Sequence, residues 1–70
     1  MRYFFHVTDG MSTFKDEEGQ NFSSLDDAKV NAMVVASELA VDETYRGCTI
    51  WVTDDQGNDV ARVVITGKTA

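Results

Sequence analysis

The sequence predicts an α+β domain: a mostly antiparallel four-stranded sheet, in the order β-β-α-β-β, with one helix packed on one face. Three observations predict it. Short runs rich in β-branched and aromatic residues are closed by Gly-, Asn- and Asp-containing turns, which is the pattern of strands and hairpins. A single stretch after Ser23-Ser24 repeats its apolar residues at helical spacing. The chain has 70 residues and no proline, with no linker-like or low-complexity segment, so it reads as one domain over 1–70.

Residues 2–8, RYFFHVT, form the first strand, and Asp9-Gly10 turns it. A short second strand is expected near Ser12–Lys15, paired back on the first. Phe14 and Phe22 are the expected apolar anchors of this region, and Asp16-Glu17-Glu18-Gly19 reads as an exposed turn. The helix opens with Ser23 or Ser24 as N-cap. Asp26 or Asp27, three residues on, supplies a shortened capping box and complements the positive end of the helix dipole. Leu25, Ala28, Ala32, Val35, Ala36 and Leu39 fall on one face, and the helix should fade at Val41–Thr44. CTIWVT (Cys48–Thr53) and DVARVVIT (Asp59–Thr66) form a second hairpin around Asp54-Asp55-Gln56-Gly57-Asn58, and Gly67–Ala70 is a tail.

The triplet Val-Thr-Asp occurs at residues 7–9 and again at 52–54, each time closing a strand. If the two strands run alike, Phe5 and Val7 match Ile50 and Val52 under the helix. His6 then matches Trp51 on the opposite face.

The totals bound the function. A chain this small buries only about 60% of its unfolded surface, and such domains commonly lean on a disulfide, a metal or a partner subunit. Cys48 is the single cysteine, which excludes an internal disulfide, and the Cys and His clusters of a zinc site are missing. Self-association is the staple left. The net charge is −6 and the six Lys and Arg residues are scattered, which argues against nucleic acid. The longest apolar run, Ala32–Ala36, is too short for a bilayer, and the N-terminus does not read as a signal peptide. A cytoplasmic location with no membrane contact is the expectation.

Few residues suggest chemistry. His6 could act as a base or a ligand, but it needs neighbours. Cys48 is expected on the helix side, away from it, as a small buried hydrophobe. The ordinary reading of His6 is a partly exposed strand residue. Asp54–Asp59 superficially resembles a calcium loop but lacks the acidic third position and the closing glutamate. No catalytic set, metal site or cofactor is expected.

Two surfaces remain. The sheet face away from the helix should carry Phe4, His6, Trp51 and Arg62, a set able to bind a protein or a small ligand. The helix carries a second apolar stripe, Val30, Met33, Val34 and Val41, nearly opposite the core face, which suits a dimer interface. The expected function is therefore a non-enzymatic protein-interaction module, with self-association among its contacts. The alternative is a small-ligand-binding domain using the aromatic sheet face.

The opening Tyr3-Phe4-Phe5-His6-Val7 followed by Asp9-Gly10, the Asp16-Glu17-Glu18-Gly19 turn, the Leu25–Ala28 helix start and Trp51-Val52-Thr53-Asp54 with Gly57 together resemble a domain-of-unknown-function family. It is a family of small proteins common in rhizobia-like alphaproteobacteria. The resemblance spans nearly the whole chain. It implies a bacterial cytoplasmic domain and no particular substrate, cofactor or catalytic residue. The last strand and its Gly67–Ala70 tail look longer and more polar than the family's ending.

Overall fold

The computed structural model describes residues 1–66. The order is β1 (Arg2–Thr8), β2 (Thr13–Phe14), β3 (Gln20–Asn21), α1 (Leu25–Leu39), a 3-10 turn (Glu43–Tyr45), β4 (Thr49–Asp54) and β5 (Asp59–Val64). The sheet runs β2-β1-β4-β5, with β3 also on β1, and every pairing is antiparallel. The expected α+β class and helix-on-sheet architecture hold, and the tail at 67–70 lies outside the described residues.

The second strand expected near Ser12–Lys15 is found as β2, and a further short strand, β3, continues the same edge. β2 pairs with the C-terminal end of β1 (Val7 with Phe14), and β3 pairs with its N-terminal end (Tyr3 with Gln20). Between them residues 15–19 leave the ladder as a loop. A fifth, two-residue strand therefore stands directly after the expected Asp16–Gly19 turn, where no strand was expected.

β1 and β4 form the centre of the sheet, with His6 directly opposite Trp51, Phe5 opposite Val52 and Val7 opposite Ile50. The face assignment from the Val-Thr-Asp echo is right and its strand direction is wrong, because the two strands run antiparallel. The residues still match because the register is centred on His6 and Trp51.

α1 lies over β4 and β5. Ser24 is its N-cap and accepts from the Asp27 N–H at 3.2 Å, while the Ser23 hydroxyl donates to Asp27 Oδ2 at 2.9 Å. Ala28, Ala32 and Ala36 meet the sheet and are all buried. Three alanines at i, i+4 and i+8 let the helix sit close, so the core is thin. Its largest fully buried side chains are Ile50, Ile65 and Val52. Phe22 packs edge-on against Phe5 at 5.8 Å and closes the β1 side of the core. Phe14, expected as an anchor, is instead 72% exposed, because α1 is displaced toward β5 and no described residue covers the β2 edge.

The helix ends at Leu39 without a glycine. Arg46 Nε donates to the Ala40 carbonyl at 2.8 Å and takes up an acceptor left by the helix end. Val41 therefore lies past the helix rather than on its stripe.

Candidate functional site

The outer face of the sheet is built by alternation. Phe4 and His6 on β1, Trp51 and Thr53 on β4, and Arg62 on β5 share it, because the register sets His6 beside Trp51 and Trp51 beside Arg62. The four residues singled out from the sequence come together as one row. Phe4 stacks on His6 at 6.5 Å with planes 7° apart, and His6 meets Trp51 at 5.4 Å. The Arg62 guanidinium lies 5.4 Å from the centre of the Trp51 ring. The Trp51 indole N–H and Arg62 Nη2 both donate to the Asp59 carboxylate. The indole N–H first, and then the guanidinium, hold that carboxyl below its ordinary value. Asp59 is the site residue that sequence reasoning missed. Its three-residue spacing to Arg62 would set the two on opposite faces of a regular strand, and only the β-bulge between Val52 and Thr53 brings the side chains together.

His6 differs from expectation. It is 7% exposed, not a partly exposed strand residue, because the 15–19 loop folds over it. Its Nδ1 accepts the Asp16 backbone N–H at 3.0 Å, so the ring proton sits on Nε2, which donates to Thr53 Oγ1 at 3.0 Å. Neither nitrogen is left for a ligand. The trio Thr53, His6 and Asp16 has the composition of a catalytic triad with the wrong wiring. A triad base must receive the hydroxyl proton on Nε2 and be oriented through Nδ1–H by a carboxylate. Here Nε2 already carries its proton, and Asp16 offers a backbone amide. Cys48 lies in the core on the other side of the sheet.

The Asp16 carboxylate performs a second task. Oδ2 accepts the Phe5 N–H at 3.1 Å, replacing the ladder bond that the split edge strand cannot make. Oδ1 accepts the Glu18 and Gly19 N–H groups at 3.1 and 3.0 Å. Gly19 then lies flat on the sheet with φ +69°. A Cβ there would stand 2.7 Å from the Tyr3 carbonyl and 2.9 Å from the Phe4 ring. Partial burial raises the Asp16 carboxyl, but the N–H groups of Gly19, Phe5 and Glu18 outweigh it and hold it below its ordinary value.

The consequence for pH follows from the direction of that shift. A carboxyl lowered in the folded chain stabilises fully above its unfolded value and loses that contribution as pH falls through the folded value. The melting temperature of the wild type should therefore drop as the pH falls from about 5 to about 2. Asp16→Asn should show a shallower slope and a lower plateau at neutral pH, because the amide leaves the Phe5 N–H unpaired. Equal slopes in thermal melts of the two proteins would contradict this role.

The acidic turn at 54–58 is closed on itself. Asp54 Oδ1 accepts the Gln56 and Asn58 N–H groups, each at 2.9 Å. The Asn58 N–H, ahead of the other donors, lowers the carboxyl. Among the described residues no three His, Cys, Asp or Glu side chains gather in a way that could hold a metal. No helix among them is long and apolar enough to cross a membrane.

The helix stripe is exposed as expected at Val30 (58%), Met33 (62%) and Val34 (49%), with Val41 at 80% beyond the helix end. Open clefts flank α1 on either side. One of about 220 Å³ is lined by Phe5, Asp16, Glu18, Gly19, Asn31 and Val35 among others. The second, of about 330 Å³, runs between Lys29 and Met33 on the helix and Val60 to Val63 on β5.

No curated protein and no solved structure matches this chain. A family model described as a domain of unknown function (DUF6894) matches residues 2–66, which takes in the outer-face row, the Asp16 loop and the whole helix, and the chain belongs to that family.

Proposed function

We propose that this protein is a non-enzymatic interaction module of the bacterial cytoplasm, and that its recognition surface is the outer face of the sheet around Trp51 and Arg62. The observation that carries this reading is the pre-ordering of Trp51. Its indole N–H is tied to Asp59, its ring lies under Arg62, and one edge is held by the buried His6. Rigid, half-exposed Trp and Arg side chains are the residue types that dominate protein interfaces, because little side-chain entropy is lost when they are covered. The mis-wired His6 supports a role without catalysis. The opening motif and the buried free thiol of Cys48 support the cellular setting.

The partner is a protein segment that lays an apolar side chain on Trp51 and carries basic residues. Those residues would face Asp54, Asp55 and Asp59 at the β4–β5 turn, on a chain of net charge −6. Selection of a displayed random-peptide library against the protein tests this. Enriched peptides should be basic and apolar, shift Trp51 emission to the blue, and lose at least about tenfold in affinity on Trp51→Lys, roughly 1.4 kcal/mol. Peptides that bind equally well to Trp51→Lys would overturn the assignment of the face. Binding of small metabolites with the same emission change, and no peptide, would favour the ligand-binding alternative.

A further inference from the structure

We propose that a second copy of this chain docks along β5, joining the two sheets edge to edge and setting the two α1 helices side by side. The inference concerns a different surface from the outer face and does not rest on that reading.

The two edges of the sheet are treated differently. On the β1 side the edge strand is cut into two-residue pieces, and the Asp16 carboxylate occupies the Phe5 N–H between them. That edge is closed to a further strand. β5 is six residues long and forms the other end of the sheet. The Ile65 N–H bonds the Cys48 carbonyl at 2.8 Å. Backbone groups of an antiparallel strand alternate in direction, so those of Val64 and Arg62 point away from β4 and are free among the described residues. A charged side chain commonly guards such an edge, but Arg62 is drawn back over Trp51 to Asp59.

The flank beside this edge mixes apolar side chains with charges of both signs. Met33 is exposed beside Val60 and Val63 across the open cleft, while Val30 and Val34 are exposed nearly opposite the core face, above it. At 100° per residue, Asp27 and Glu38 fall on the other flank of α1. A chain of net charge −6 repels its own copy over most of its surface. This side carries Lys29 and Arg62, of the opposite sign, beside Asp26 and Asp59. A second copy is the occupant that offers both halves of what the edge lacks: a free antiparallel strand, and a helix flank of balanced charge with Met33 at its centre, at the same height. A two-fold axis normal to the sheet supplies both at once and closes the assembly. The same axis keeps both Trp51 faces on one side of a continuous sheet.

Sedimentation equilibrium from about ten micromolar to about one millimolar tests the proposal, a span chosen for affinities in the micromolar range. The wild type should reach twice the 7.8 kDa chain mass. Val64→Pro removes an outward N–H that bonds nothing among the described residues, which an edge strand tolerates. Met33→Asp adds a charge to an exposed helix position. Each should stay folded by circular dichroism and weaken dimerisation at least tenfold, while Phe14→Asp at the closed edge should leave it unchanged. A monomeric wild type throughout, or a dimer indifferent to Val64→Pro and Met33→Asp, would overturn the proposal. Neither result bears on peptide binding at Trp51, which is read separately.

Discussion

Replacing His6 by phenylalanine should destabilise the protein by about 2–4 kcal/mol, although the ring shape is nearly kept. The change leaves two polar groups without a partner: the Asp16 N–H and the Thr53 hydroxyl, the latter in a residue 7% exposed. Each unpaired buried group costs about 1–3 kcal/mol. A chain of this length has roughly 4–10 kcal/mol of net stability, so the loss is a large share of the whole. The effect should also be local. Amide exchange at Phe5, Glu18 and Gly19 should accelerate ahead of global unfolding, because their acceptor Asp16 is positioned by His6. Adding Thr53→Val should recover part of the loss, since both ends of that bond are then apolar. If urea unfolding places His6→Phe within about 0.5 kcal/mol of wild type, the range of an ordinary surface change, His6 is not the clasp described above.

The contrast between His6 and the elements around it shows what a linear reading can reach. The helix was legible because its signals are local. Ser24 and Asp27 lie three residues apart, and the alanines recur every fourth position. The hairpin around Asp54 to Asn58 was legible for the same reason, as its turn is closed by one carboxylate acting on residues two and four positions away. The row of Phe4, His6, Trp51 and Arg62 followed from alternation alone once the face was chosen. The loop at 15–19 was not legible. Its course depends on Asp16 reaching back 11 residues to Phe5 and on His6 accepting an amide 10 residues away. No spacing rule encodes those bonds, so an apparently ordinary acidic turn concealed the burial of the single histidine. Phe14 misled for a related reason. Its hydrophobicity predicted a core position, but which part of the sheet the helix covers is decided by the close fit of Ala28, Ala32 and Ala36 over β4 and β5.

That close fit underlies the second large expected effect. Ile50→Ala should cost about 2–5 kcal/mol, the range for truncating a buried isoleucine. Ile50 is fully buried at the centre of β4, between Val7 on β1 and Val63 on β5, and belongs to one cluster with the three helix alanines. The three buried alanines of the helix have no long side chains to relax into the space left behind, so the cavity persists and the cost falls in the upper part of that range. Ile50→Val, by contrast, should lose about 0.5–1.5 kcal/mol. In urea titrations both should lower the midpoint at an unchanged slope, which assigns the loss to stability rather than to a changed denatured state. A loss below about 1 kcal/mol for Ile50→Ala would mean that the core does not depend on this residue. Protein concentration adds a further discriminating readout. Partner binding stabilises the folded chain by mass action. If β5 pairs with a second copy, the melting temperature of the weakened Ile50→Ala protein should rise with concentration. Adding Met33→Asp, which does not touch the core, should abolish that rise.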